Sequence, residues 1–261
     1  MRKCLLFLFL AMLTCLGCQW QLRPSALGPG NGIDRNAEEL KIIVRYDLLE
    51  HSYLTTGDFS SLQQMTAGYP VQTRILIEDV LHIGQANTPE VMHRLLDYFQ
   101  DSTLQVLLAD VQEQYATMGD VDRSLFESFN RLKEMLPSID VPKVYTQIGS
   151  LDQSITVNKG LLGISLDKYL GADYPLYQRY GYSQRQCESM TRDFIVPDCI
   201  GFFLLSLYPT PLQEQRREHL GRIQYVVNKA VGHQHFDNQG VADAGAFMAS
   251  HPETTFDQLL R

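Results

Sequence analysis

A change of hydrophobic period in mid-chain constrains the fold of this sequence more than any other feature. From Ser102 to about Met118, the residues Leu104, Leu107, Leu108, Val111 and Tyr115 lie on one face at helical spacing, and Gly119 stands where such a helix would end. Leu125, Phe129, Leu132 and Leu136 continue the pattern in a further helix that Pro137 closes. The period then drops to two. Val144-Tyr145-Thr146-Gln147-Ile148 alternates, Ile155-Thr156-Val157 follows, and Asn158-Lys159-Gly160 supplies turn chemistry before Leu161-Leu162-Gly163-Ile164-Ser165-Leu166. A hairpin is therefore expected, its second strand ending near Asp167. Stripes of leucine and aromatic residues at these spacings belong to a core and are assigned no function.

The flanking segments fill in the class. Leu40 to Tyr46 is rich in β-branched residues and reads as a strand, while Asp47-Leu48-Leu49 and the polar residues through Ser61 read as a loop or short helix. Thr88-Pro89-Glu90 is a helix start, with Val91, Leu95 and Tyr98 on one face. After the hairpin, Ile195 to Tyr208 is almost wholly apolar; it is too short to span a bilayer and reads as a buried helix beginning near Pro197. Gln213 to Val231 is a further helix with Leu220, Ile223 and Val227 inward. Helices, then strands, then helices again make an α+β domain, its helices packed on a small and mostly antiparallel sheet.

The first residues say where such a domain works. Arg2 and Lys3 precede an apolar run from Leu5 to Leu13, too short for a permanent membrane helix, and Leu16-Gly17-Cys18 puts a small residue directly before a cysteine. This is a lipoprotein signal peptide over residues 1–17, with Cys18 as the site of acylation (palmitate); the alternative is ordinary secretory cleavage that leaves Cys18 a free thiol. From Gln19 to Asn36, Pro24, Pro29 and three glycines interrupt any regular structure, so residues 18–37 form a lipidated tether and residues 38–261 a single domain. Gln19-Trp20-Gln21-Leu22-Arg23 has no acidic cluster, which favours a periplasm-facing location over the cell surface.

Charge then narrows the partners. Residues 1–17 hold two of the 22 basic residues and none of the 30 acidic ones, so the formal charge of −8 becomes −10 in the remainder. Nucleic acid is excluded as a partner, and an anionic lipid surface would repel the body, leaving the acyl group as the attachment to the membrane. Other envelope proteins or neutral polymers are the expected partners. Of the cysteines beyond the anchor, Cys187 and Cys199 are twelve apart and could pair in an oxidising compartment or simply be buried.

Catalytic patterns are sparse. No His-Glu-x-x-His pair is present, and His233-x-His235, with Asp237 as a third group, is the nearest approach to a metal set; alternating residues would point to opposite sides of an extended loop. No Gly-x-Ser-x-Gly elbow or phosphate-binding glycine loop occurs. Asp167 and Asp173, six apart around Gly171, could form a carboxylate pair, although turns attract aspartate for capping alone. No metal and no cofactor is expected.

One segment carries a resemblance. Gly163-Ile164-Ser165-Leu166-Asp167-Lys168-Tyr169-Leu170-Gly171-Ala172-Asp173-Tyr174-Pro175-Leu176-Tyr177 resembles the GldB-type gliding-motility lipoproteins of Bacteroidota: a strand ending in Asp, an aromatic, Leu-Gly, an acidic residue, then aromatic-Pro-x-Tyr. Phe129 to Leu136 and Val141-Pro142-Lys143-Val144-Tyr145 are similar to that family's proline-closed helix and Pro-Lys-Val strand, so the likeness spans about residues 38–210. It implies an envelope lipoprotein without established catalysis, associated in some relatives with gliding and secretion. The hairpin followed by an apolar helix also resembles the sheet and active helix of zincin-type metallopeptidases, but that helix, Ile195-Val196-Pro197-Asp198-Cys199-Ile200-Gly201-Phe202-Phe203, has no histidine. A non-catalytic component of an envelope, secretion or motility assembly is thus expected. The alternative is a peptidase-like hydrolase built on Asp167, Asp173, Tyr177 and the 233–235 histidines, which requires those groups to share a pocket.

Overall fold

A computed structural model describes residues 41–210 and 215–261, so the signal segment, Cys18, the whole tether and the first three residues of the expected domain lie outside the described residues. The described residues open with β1 (Ile43–Val44), which covers only part of the strand expected over Leu40–Tyr46. The backbone N–H groups of Ile42 and Ile43 donate to the carboxylate of Asp122, at 3.0 and 2.9 Å, instead of continuing a ladder. Asp47 begins a full helix, α1 (Asp47–Thr56), which Gly57 stops at φ +69°. Next come α2 (Phe59–Gln63), capped by Asp58, and α3 (Pro70–Arg74), each running into a π-helical turn, at Gln64–Gly68 and Ile75–Val80. This segment buries Met65, Ile75, Leu76, Ile77 and Val80 at spacings that belong to no single helical period, so it escapes a periodicity reading.

The central helices start and stop where their caps dictate. Thr88 spends its hydroxyl on the carbonyl of Gln85, and α4 (Val91–Tyr98), with Glu90 at its cap position, begins two residues later than the hydroxyl-proline signal suggests. Asp101 caps α5 (Ser102–Gln114) by accepting the N–H of Thr103 at 2.8 Å. That helix ends before Met118, and Gly119 opens the next one, α6 (Gly119–Met135), instead of closing the last. Leu125, Phe129 and Leu132 face the core as their spacing requires.

The sheet contains β2 (Lys143–Gln147), β3 (Ile155–Asn158) and β4 (Leu161–Ser165) besides β1, in the order β1-β2-β4-β3. The expected hairpin is β3 and β4, joined by Lys159 at φ +35° and Gly160 at φ +81°, a two-residue turn with both residues left-handed. The α+β class holds, but the antiparallel emphasis does not, because β2 pairs parallel with both β1 and β4. The reason is burial: Val144, Tyr145, Thr146 and Gln147 are covered on both faces, and β4 is buried over most of its length, so β4 takes the interior place beside β2 and its hairpin partner moves to the edge.

After a 3₁₀ turn at Leu166–Tyr169 come the short helices α7 (Pro175–Arg179) and α8 (Gln184–Cys187) and a second 3₁₀ turn at Arg192–Phe194. The apolar helix α9 (Ile195–Leu207) packs against β3, β4 and α6. On α10 (Arg216–Val231) the inner face carries Gly221, Ile223, Val226, Val227 and Ala230, while Leu220 is 41% exposed, contrary to expectation. The rotation follows from Gly221, which lies so close to Gly240 of α11 (Gln239–Ser250) that a Cβ there would fall 2.6 Å from the Gly240 backbone. The last helix, α12 (Phe256–Leu260), starts with a capping box of Thr255 and Gln258 and buries Leu259 and Leu260. One continuous core runs from Ile43 to Leu260.

Candidate functional site

The segment from Ser165 to Tyr182 gathers the charged and phenolic groups that the sequence singles out. Asp167 is fully buried where β4 turns into the 3₁₀ segment, and its two oxygens accept the N–H groups of Gly149 and Leu151 at 2.7 and 2.8 Å. Those groups belong to the loop leaving β2, where Leu151 sits at φ +64°, so the carboxylate fixes a strained backbone. Burial pushes the Asp167 carboxyl above its usual range, against the pull of both N–H donors. Tyr177, also fully buried, donates its hydroxyl to the backbone carbonyl of Asp167 and accepts the N–H of Leu170, both at 2.8 Å. Lys168 donates to the Tyr182 hydroxyl at 2.7 Å and to the Leu151 carbonyl at 3.2 Å, with its ammonium 3.9 Å from the centre of the Tyr182 ring.

A second carboxylate works from the other side of β2. Glu50 of α1, fully buried, accepts the N–H of Ile148 at 2.6 Å. Burial raises its pKa well above the carboxylate range, and the neighbouring charges of Asp47 and Asp167 add to the rise. Asp47 accepts the Thr146 hydroxyl and pairs in two hydrogen bonds of 2.8 Å with Arg45. Tyr169 donates to Asp198 of α9 at 2.8 Å, and Asp198, largely buried, is pushed up to about 6 by that burial. Asp47, Glu50 and Asp167 thus pin α1, the end of β4 and the loop after β2 together, and Asp198 ties α9 to the 3₁₀ segment that follows β4; the second oxygen of Glu50 is buried without a partner among the described residues.

The candidate cluster of Asp167, Asp173 and Tyr177 therefore divides. Asp167 and Tyr177 meet, through a backbone carbonyl; Asp173 is exposed just after Gly171, whose φ of +119° turns the chain away. Cys187 and Cys199 are free buried thiols, one on α8 and one on α9, so the bridge weighed from their spacing is not formed.

The histidines of the 232–238 turn lie elsewhere, beside a cleft of about 480 Å³ between α6, the Thr191–Pro197 segment and that turn. His233 and His235 both line it, with ring centres 6.0 Å apart. Opposite orientation would require an extended loop, and the loop is bent: Asn228 of α10 accepts the N–H groups of His235 and Phe236 at 2.9 Å and donates to the Phe236 carbonyl at 2.8 Å. His235 packs edge-on against Phe194 at 4.4 Å and Phe236 at 4.9 Å. Arg131 donates to the carbonyls of Ala230 and Val231 at the end of α10, and Arg192 holds Asp120 in two hydrogen bonds of 2.9 and 2.6 Å. Asp237 is exposed, and among the described residues no three His, Cys, Asp or Glu side chains converge as a ligand set. Asn228, Phe194 and Arg131 carry no motif that marks them in the sequence.

Residues 31–231 match the family described as gliding motility protein GldB. The chain belongs to that family. The match takes in the whole sheet, the Asp167–Tyr177 segment and the helices through α10. Membership assigns the protein to gliding-motility-associated lipoproteins and so to the cell envelope. No curated protein and no solved structure matches it. Among the described residues no helix is long and apolar enough to cross a membrane.

Proposed function

We propose that this GldB-family protein is a non-catalytic envelope lipoprotein, anchored by acylated Cys18 after cleavage of residues 1–17, that binds partner proteins in a secretion- or motility-associated assembly on the periplasmic side. Residues 18–37 act as its tether and residues 38–261 as the binding body. The observation that carries the reading is the use made of the most reactive-looking side chains. Asp167, Tyr177 and Lys168 are committed to backbone and phenol partners within the core, where their chemistry positions a loop and meets no substrate. The groups a hydrolase would need stay apart, with Asp173 on the surface and the histidines at a separate cleft.

Capture of the lipidated protein from its own envelope, with a Cys18→Ser chain as comparison, tests the proposal. A defined set of envelope proteins that co-purifies with the lipidated form, and is depleted with Cys18→Ser, is the expected result. Hydrolysis of peptide or cell-wall substrates by the purified protein, lost on His235→Phe, would overturn it in favour of the enzyme.

A further inference from the structure

The histidine turn has the construction of a latch. Gly232, at φ +85°, ends α10 and starts the turn, a position that permits rotation without steric strain. The turn is then held at two points, by the Asn228 amide on its backbone and by the His235 ring set between Phe194 and Phe236. The Nε2 atom of His235 is buried and has no hydrogen-bonding partner among the described residues. A neutral imidazole tolerates such a place. An imidazolium does not, because a second N–H and a charge would be shut against aromatic carbon.

We propose that the 232–238 turn is a proton-operated latch on the cleft, closed while His235 is neutral and released when His235 takes a proton, so that one wall of the cleft opens on mild acidification. The surrounding charges agree with this direction. Burial lowers the proton affinity of His235 first and the nearby His233 lowers it further, opposed by Asp193 of the 3₁₀ segment. The other charged groups lining the cleft are Arg192 beside Asp193, and Asp120, Glu127 and Arg131 of α6. Arg192 and Asp120 neutralise one another in a direct pair, and Arg131 lies 3.8 Å from Glu127, so no uncompensated carboxylate on α6 stands ready to hold an imidazolium in place. A histidine that binds protons more weakly in the closed form than in the open one makes acid an opening agent, and the equilibrium shifts by the ratio of the two proton affinities.

Hydrogen exchange of the full lipoprotein in detergent micelles, measured at about pH 7 and about pH 5 and corrected for the intrinsic exchange rate, reads the latch directly. The peptide covering residues 232–238 should lose protection at least several-fold on acidification, while β2 and β4 keep theirs. His235→Phe preserves the ring packing and removes the proton site; its turn should stay protected at both pH values. His233→Gln removes a neighbouring positive charge and should move the wild-type transition to higher pH. Equal protection of the turn at both pH values in the wild type, or an undiminished acid response in His235→Phe with β2 still protected, would overturn the proposal.

Discussion

Replacing Tyr177 with Phe isolates the structural role assigned to the Asp167–Tyr177 segment, because it removes one oxygen and leaves the ring in place. That oxygen makes two hydrogen bonds of 2.8 Å, accepting the Leu170 N–H and donating to the Asp167 carbonyl, in a residue with no exposed surface. The edge-on ring contacts with Tyr174 at 5.2 Å and Tyr182 at 6.1 Å survive the change. Leaving a buried donor or acceptor unpaired costs about 1–3 kcal/mol, and the carbonyl, with a second lone pair, suffers less than the N–H, so Tyr177→Phe should lose about 2–4 kcal/mol. Urea denaturation of the purified protein followed by circular dichroism measures this, with Asp173→Asn as control, expected within about 0.5 kcal/mol of wild type because Asp173 is exposed. A Tyr177→Phe protein as stable as wild type would refute the scaffold argument. Wild-type stability combined with lost biological activity would point to chemistry at that hydroxyl.

Three further outcomes follow from particular contacts. Asp198 titrates near 6 in the folded protein against 3.8 for the free group, so its stabilising effect is complete below about pH 4 and is lost as the pH rises through 6; the difference is on the order of 3 kcal/mol. Stability measured across that window should fall with rising pH in the wild type, and Asp198→Asn should flatten the slope. Gly221→Ala would set a methyl 2.6 Å from the Gly240 backbone and should cost about 1–3 kcal/mol by forcing α10 from α11, visible as a lowered unfolding midpoint. Cys18→Ser should abolish incorporation of labelled palmitate and release the protein from the membrane fraction; equal labelling of the two chains would sink the assignment.

The elements that the sequence announces well are those whose burial is one-sided. The stripe of α6 and the hairpin of β3 and β4 each present a single face, or a turn with one chemistry, and both fall within a few residues of expectation. Elements with no repeating period were not legible. The stretch from Phe59 to Val80 passes twice from α-helical into π-helical pitch, so its buried residues fit neither a 3.6- nor a 2-residue repeat, and α11 is built from small residues whose role is close approach rather than amphipathic burial. The parallel pairing of β2 with β4 was equally hidden, since a hairpin fixes only its own two strands and says nothing of which one joins the rest of the sheet.

The role of the Asp167–Tyr177 segment was hidden for a different reason. An aspartate, a lysine and tyrosines around Gly171 look alike in sequence whether they surround a substrate or hold a loop, because both tasks call for strong acceptors, a flexible cation and rigid phenols. What separates the two is the origin of the hydrogen-bond partners. Here they come from Gly149 and Leu151, which lie sixteen to eighteen residues before Asp167 and outside the motif altogether. A carboxylate that is fully buried and takes a backbone N–H on each oxygen is closed to a substrate by that burial, and moving it would release the loop that leaves β2. The fold leaves other polar atoms without such commitments: Glu50 Oε1, the Tyr145 hydroxyl and Nε2 of His235 are buried and unpartnered among the described residues, and of these three residues His235 is the one that lines the cleft beside α6.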